Sequence, residues 1–207
     1  MSIICLEGAS AVGKTTVSKI LESEYGFVRI AEVNELFERP RYESSTWYFE
    51  RQVNRSQLAR EISANGGKAV LDGDPFQPVW YNWIYAKEGL QPIIEVFDFY
   101  KSSVLSGDIE FPKKYILLNA SISDLKTRKE SDKTRSRRNF NKHLKLIEPQ
   151  RAYFEGMNSI IENYVDFVES DKPHNVVVKI SNLSNPTQEI TNSQLIDAMC
   201  QFVANRT

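Results

Sequence analysis

Two glycines, a lysine and a threonine lie near the start of the 207-residue chain in the spacing G-x-x-x-x-G-K-[ST]. An apolar segment precedes them, and a helical pattern follows them as far as Gly26. In this context the glycines allow successive backbone N–H groups to converge on phosphate oxygens. The lysine can reach the β- and γ-phosphates, and the threonine hydroxyl can coordinate Mg²⁺. The residues expected to bind a nucleoside triphosphate are Gly8, Ala9, Ser10, Ala11, Val12, Gly13, Lys14, Thr15 and Thr16.

Three carboxylates follow the second and third predicted strands, where the ligands of an open parallel sheet bind. Asp72 is expected to hold Mg²⁺ directly or through water, and Asp74 to contact the substrate. Glu32 is placed to accept a proton from an acceptor hydroxyl, a role that Asp72 shares as an alternative. Structural roles stay open: the aspartates can form a turn around Gly73, and Glu32 can be a solvated loop residue.

Basic residues are concentrated between residues 126 and 145, where nine stand against two acidic ones. A phosphoryl group in transfer spreads negative charge over its oxygens, which guanidinium groups can follow. We therefore expect a lid over about residues 126–142, with Arg128 and Arg135 as its first catalytic candidates. The alternative is a solvated helix surface.

Two arginines, Arg51 and Arg55, lie four residues apart on a predicted helix and are candidates for binding the acceptor or a phosphate it carries. Aromatic residues at 47–49 and 80–85 offer rings for a flat base, although packing in the core explains such residues equally well. The two histidines have no partners at metal-ligand spacing.

Apolar runs and helical periodicity alternate along the chain. This alternation predicts an α/β fold, a parallel sheet of five strands with helices on both faces, in a single domain over residues 1–207. The predicted helices cover 47–64, 92–105, 139–165 with Pro149 breaking or restarting the helix, and a final stripe from Leu195 to Val203. The predicted strands are residues 3–6, 27–30, 68–72, 115–118 and 176–180.

Composition narrows the class of protein. Hydrophobic residues make up 41% of the chain, no segment approaches the length of a membrane span, and the N-terminus lacks the features of a signal peptide. Two cysteines do not form a disulfide framework, which leads us to expect a reducing, cytoplasmic location. The net charge of −1 argues against a general nucleic-acid binder.

In outline, over most of its length, the chain resembles the P-loop kinase family of nucleoside and nucleotide kinases. Residues 4–8 leading into Gly13 and Lys14 are similar to the opening of deoxynucleoside and thymidylate kinases. Residues 31–33 resemble the segment that carries the catalytic glutamate of deoxynucleoside kinases. Residues 53–55 with 67–72 are similar to thymidylate kinase, whose helix arginine and strand-end aspartate face the acceptor.

This resemblance implies a three-layer P-loop NTPase fold with an arginine-rich lid, and an ATP- and Mg²⁺-dependent kinase of a small molecule. Glu32 would be the catalytic base, and Arg55 and Asp72 would face the acceptor. The chain departs from the family at Gly73, where an acid-arginine pair is usual. The acceptor therefore stays open between a nucleoside or nucleotide and another alcohol such as an antibiotic. A regulatory NTPase switch is a further alternative, and a homodimer is one possible oligomeric state.

Overall fold

Five parallel strands form one sheet in the computed structural model, which describes residues 2–133, 139–186 and 190–206. The strands are β1 (Ile3–Gly8), β2 (Phe27–Ile30), β3 (Lys68–Asp72), β4 (Lys114–Asn119) and β5 (Val165–Glu169). They pair in the order β2-β3-β1-β4-β5, so β1 lies at the centre between β3 and β4. In a sheet of this kind the crevice at the carboxyl ends of the central strands is the usual binding place.

Helices fill the connections between the strands, and none of those in the described ranges is long and apolar enough to cross a membrane. They are α1 (Lys14–Tyr25), α2 (Val33–Leu36), α3 (Trp47–Ala64), α4 (Gln77–Ile84), α5 (Ile93–Leu105), α6 (Ile122–Ser131), α7 (Phe140–Leu144), α8 (Ile147–Ile160), α9 (Pro173–Ser181) and α10 (Asn192–Ala204).

The sheet separates two apolar cores because successive side chains of a strand point to opposite faces. Ile3 and Cys5 of β1 pack with residues of α3, α4, α5, α8 and α10. Ile4 and Leu6 pack on the other face with residues of α1, α6, α7 and α9. The three-layer α/β fold predicted from the sequence is thereby confirmed.

The fifth strand is not the predicted one. Residues 176–180 belong to α9, and the strand is β5, which pairs in parallel with β4. The run of valines favours a strand by propensity, but Val176, Val177 and Ile180 lie on one buried helical face. Val178, between them, is 52% exposed. Packing of that face against α1 overrides the preference of β-branched residues for strands.

The predicted helix over residues 139–165 is divided into α7 and α8, and Val165 already belongs to β5. Pro149 lies in the first turn of α8, where its missing N–H breaks no hydrogen bond. The predicted restart of the helix near this proline is confirmed.

Candidate active site

The predicted phosphate-binding loop, residues 8–15, connects the end of β1 to the start of α1 at the centre of the sheet. Gly8 and Gly13 have φ values of 137° and 110°, which residues that carry a side chain rarely adopt. Ala11 also lies in the left-handed region, with φ 69°. Helix α1 begins at Lys14, so the N–H groups of its first turn have no partners within the helix and carry its positive dipole end. The loop therefore has the backbone shape of an anion cradle.

Lys14 lies within the concavity of this loop. Its Nζ donates to the carbonyl oxygen of Gly8 at 2.7 Å and lies 3.7 Å from Glu7 Oε1. Burial by itself lowers the pKa of Lys14, but the carboxylates of Glu7, Glu32 and Asp72 outweigh this effect and leave the pKa raised. The ammonium is thus charged at neutral pH and poised beside the site where phosphates would lie.

Glu7 is a site residue that our sequence analysis did not single out. It is the penultimate residue of β1, is 4% exposed, and accepts hydrogen bonds from the backbone N–H groups of Gly8 at 2.8 Å and Asp74 at 2.9 Å. Gln150 of α8 donates to it at 3.3 Å. Its signal in the sequence was a charged residue directly after an apolar strand and directly before the glycine loop.

One cavity of about 1050 Å³ runs from the phosphate-binding loop across the carboxyl ends of the strands. Glu32, the half-buried residue that precedes α2, lines this cavity, and its carboxylate forms no hydrogen bond with any residue in the described ranges. Beyond the loop the walls are mainly polar and aromatic, and include Tyr48, Gln52, Gln77, Trp80, Tyr81, His143 and Gln150.

Asp72 ends β3 in this cavity, as predicted, and is fully buried. Its Oδ2 accepts from Arg29 Nη2 at 2.7 Å and lies 3.4 Å from the hydroxyl of Ser18. Its Oδ1 has no hydrogen-bond partner in the described structure. A buried carboxylate oxygen without a partner is costly, so Oδ1 is a candidate ligand atom within the cavity.

Asp74 supports the wall of the cavity. Its Oδ1 accepts from the backbone N–H of Phe76 at 2.9 Å and from Tyr115 at 2.8 Å, and its Oδ2 accepts from Trp80 Nε1 at 3.0 Å. Burial, with the nearby charge of Glu7, raises the pKa of Asp74 to about 7. Because both oxygens already bind protein donors, its predicted contact with the substrate stays a prediction.

The two arginines of α3 lie in different surroundings. Arg55 lines the cavity but is 1% exposed, and its guanidinium donates to the carbonyl oxygens of Ala31, Asp72 and Gly73. Arg51 does not line the cavity; its Nη2 lies 3.6 Å from Glu50 Oε2. Arg55 thus binds backbone carbonyl oxygens and Arg51 lies outside the cavity, and their predicted contacts with an acceptor stay predictions.

Arg128, in the last turn of α6, reaches the phosphate-binding loop. Its Nη1 donates to the carbonyl oxygen of Val12 at 2.9 Å, and its Nη2 donates to the carbonyl oxygen of Ser170. The side chain thus joins the loop to the segment after β5 and lines the cavity. Arg135, the other predicted lid arginine, lies outside the described residues, as do residues 137 and 138.

The predicted aromatic residues divide between the cavity and the core. Tyr48 donates to Gln77 Oε1 at 2.8 Å, and both line the cavity together with Trp80 and Tyr81. The rings of Trp80 and Tyr81 are 6.0 Å apart and tilted by 59°. Trp47 and Phe49, in contrast, are buried away from the cavity. A flat ligand ring would meet the first group.

The donor set is suited to Mg²⁺ when phosphates supply the remaining ligands. In the described ranges no three His, Cys, Asp or Glu side chains come together as a metal cluster. Mg²⁺ in phosphoryl-transfer sites, however, takes only one or two protein ligands beside phosphate oxygens and water. The Thr15 hydroxyl on α1 and the unpartnered Oδ1 of Asp72 fit that requirement.

No protein-family profile and no curated protein sequence matches the chain. Among solved structures, it is similar to deoxyadenosine kinase from M. mycoides with bound dATP, with a TM-score of 0.58 and 16% identity over 86% of this chain and 97% of that one. The chain has the fold of this kinase.

Two further structures of the same enzyme agree with this result. The form with the products dCMP and dCDP gives a TM-score of 0.57 and covers 87% of this chain and 96% of that one. The form with dCTP gives a TM-score of 0.55 and covers 87% of this chain and 97% of that one. The sequence identity is again 16% for both forms. The P-loop NTPase fold implied by the sequence resemblance is thus confirmed by structure.

Proposed function

We propose that the protein is an ATP- and Mg²⁺-dependent kinase that transfers the γ-phosphoryl group to a hydroxyl of a small molecule, with a nucleoside as the first candidate. The observation that carries the proposal is that one cavity joins the phosphate-binding loop to a carboxylate- and aromatic-lined region. A kinase needs both regions in one cavity because donor and acceptor must meet in line. The likeness to a deoxyadenosine kinase fold supports the same activity.

The loop and Lys14 would bind the triphosphate. The backbone N–H groups between Gly8 and Thr15 would cradle the phosphates, while Lys14 would move from its present bond with the Gly8 carbonyl toward the β- and γ-phosphates. Thr15 and Asp72 would hold the metal. When bound, Mg²⁺ neutralises charge on the phosphates and fixes their orientation.

Glu32 would act as the general base. Its carboxylate is half-buried, lines the cavity and makes no hydrogen bond within the described ranges, so it can accept one from an acceptor hydroxyl. The hydroxyl proton passes to Glu32 as the acceptor oxygen bonds to the γ-phosphorus, and the bond from that phosphorus to ADP breaks. Asp72 is less suited to this role because Arg29 already occupies its Oδ2.

The surroundings of the α3 arginines favour an acceptor without a phosphate of its own. Arg55 donates to three carbonyl oxygens, and Arg51 lies outside the cavity. A nucleoside monophosphate would bring two negative charges toward Glu32 and Asp72 with neither arginine free to compensate them. We therefore place nucleosides ahead of nucleotides, and aromatic-bearing alcohols such as some antibiotics after them.

The test is ADP formation from ATP and Mg²⁺ with and without nucleosides, nucleoside monophosphates, aminoglycosides and simple alcohols. Lys14→Ala is expected to fold normally and to lose about a hundredfold or more in kcat, as expected when a preorganised charge is removed from the transition state. Lys68→Ala, at the opposite end of the sheet, is the matched control and should retain full turnover.

The outcomes separate the alternatives. Strong stimulation by one class of acceptor establishes a kinase and identifies its substrate class. Slow hydrolysis of ATP that no acceptor stimulates, and that Lys14→Ala abolishes, would favour a regulatory NTPase instead. Undiminished acceptor phosphorylation by Lys14→Ala would contradict the proposal.

A further inference from the structure

Arg29 lies behind the cavity rather than in it, yet it contacts three elements that form the cavity. It belongs to the edge strand β2, and its side chain is only 8% exposed. It does not line the cavity and would not touch a substrate there.

The first two contacts of Arg29 are on the side of the cavity where ATP and Mg²⁺ are proposed to bind. Its Nη2 and Nε donate to Asp72 Oδ2 at 2.7 and 3.2 Å. Its Nε also donates to the hydroxyl of Ser18 on α1 at 3.0 Å, and that hydroxyl lies 3.1 Å from the carbonyl oxygen of Thr15. One guanidinium thus connects the end of β3 with the helix that begins at the phosphate-binding loop.

The third contact of Arg29 is with the acceptor side. Nη1 and Nη2 donate to the two carboxylate oxygens of Glu35, each at 2.8 Å, in the parallel arrangement that fixes both groups. The hydrogen bonds that Arg29 donates to Glu35, together with those to Asp72, raise the pKa of Arg29, so the guanidinium stays charged over the working pH range.

Glu35 lies on α2, the short helix whose first flanking residue is Glu32. The backbone N–H groups of Glu35 and Leu36 donate to the Glu32 carbonyl oxygen at 2.9 and 3.0 Å. A helix of four residues is too short to be stable by itself, so contacts from outside must hold it in place. The bidentate pair of Glu35 with Arg29 is such a contact.

We propose that Arg29 is a positioning residue, which fixes α2 and the Glu32 that precedes it relative to Asp72 and the phosphate-binding loop. The inference rests on the proposed kinase function, since it takes Glu32 as the base and Asp72 as the metal-side carboxylate. A displacement of about 1 Å between such groups costs on the order of a hundredfold in rate, which is why a rigid link is needed.

The variants separate positioning from folding. Arg29→Gln removes all three contacts, and Arg29→Lys keeps the charge beside Asp72 but loses the fork to Glu35. Glu35→Gln weakens the link to α2 and leaves the bonds of Arg29 to Asp72 and Ser18 in place. Glu35 is half-exposed, so its variant is expected to fold even if the first does not. Arg151→Gln, which breaks an exposed pair with Glu155 on α8, is the matched control.

The kinetic test measures kcat, acceptor KM and ADP affinity for each variant. Arg29→Gln is expected to lower kcat by about tenfold to a hundredfold, and Arg29→Lys and Glu35→Gln by about tenfold, with ADP affinity changed less than about threefold. Arg151→Gln should match the wild type. Folded variants with full kcat and lower melting temperatures would show a structural role only and overturn the proposal.

A second readout needs no acceptor. Hydrogen exchange of the backbone N–H groups in residues 33–37 should be about tenfold faster in Arg29→Lys and Glu35→Gln than in the wild type or Arg151→Gln. Unchanged exchange would overturn the proposal whatever the kinetics. Absence of acceptor turnover in the wild type would instead overturn the kinase function and the catalytic meaning of the link, while faster exchange would still show that Arg29 holds α2.

Discussion

Replacing Asp74 with asparagine is expected to remove a pH dependence of folding that this buried carboxyl creates. Burial, together with the charge of Glu7, raises the pKa of Asp74 from 3.8 to about 7, even though three protein donors oppose the shift. In the unfolded chain the group has its ordinary pKa. Between the two pKa values only the folded state holds the proton, so this contribution to stability is present below the unfolded pKa and is lost as the pH rises through the folded one.

The magnitude follows from the shift. A difference of roughly three pKa units corresponds to about 4 kcal/mol between the fully protonated and fully ionised limits. Raising the pH from 5 to 8 removes about 3 kcal/mol of this contribution to the free energy of unfolding. The physical cause is the ionised carboxylate, which above pH 7 lies buried beside the charge of Glu7 with no cation bonded to it among the described residues.

The assay is urea unfolding at pH 5, 6, 7 and 8 for the wild type and Asp74→Asn, with the exposed Asp98→Asn as the control. The difference in the free energy of unfolding between wild type and Asp74→Asn should fall by about 3 kcal/mol across this range. In the variant an amide faces Trp80 Nε1, which changes the free energy of unfolding by the same amount at every pH. The test is therefore the slope of the free-energy difference against pH. Parallel curves for the two proteins would refute the reasoning.

Three more perturbations test the structure of the site. Gly8→Ala would bring a Cβ into the Leu118 carbonyl oxygen, and we expect the affinity for a fluorescent ATP analogue to fall by about a hundredfold or more. The control is Gly66→Ala, which is also at positive φ but in open space and should bind the analogue normally. Arg128→Gln should weaken ATP about tenfold by calorimetry, because the loop loses its tie to the Ser170 segment, and unchanged affinity would contradict this. Arg55→Gln should lower the free energy of unfolding by about 3 kcal/mol in urea, since it leaves buried carbonyl oxygens unpaired, and a loss below about 1 kcal/mol would show that they find other partners.

Local patterns were sufficient where short-range chemistry decides the outcome. The glycines of the phosphate-binding loop, the helix stop at Gly26 and the restart near Pro149 depend on backbone preferences of a few residues, and the structure agrees with each. The fifth strand was misassigned because the valines at 176–178 favour a strand locally, while the face that Val176 and Val177 share with Ile180 is buried against α1. Propensity is a weak guide when tertiary packing competes with it.

The amino-acid sequence by itself determined the parallel α/β architecture and the phosphate-binding loop, since both follow from periodicity and from residues close together in the chain. Only the tertiary structure decided which charged side chains face the cavity and which bind other parts of the protein. Arg55 and Arg128 looked like ligand-binding groups, but both bind backbone carbonyl oxygens of distant segments. Glu7 and Arg29 looked ordinary, but the fold brings them to Lys14 and Asp72. The sequence specifies which side chains are charged. Their partners depend on which strands are adjacent in the sheet, because that decides which strand ends lie side by side.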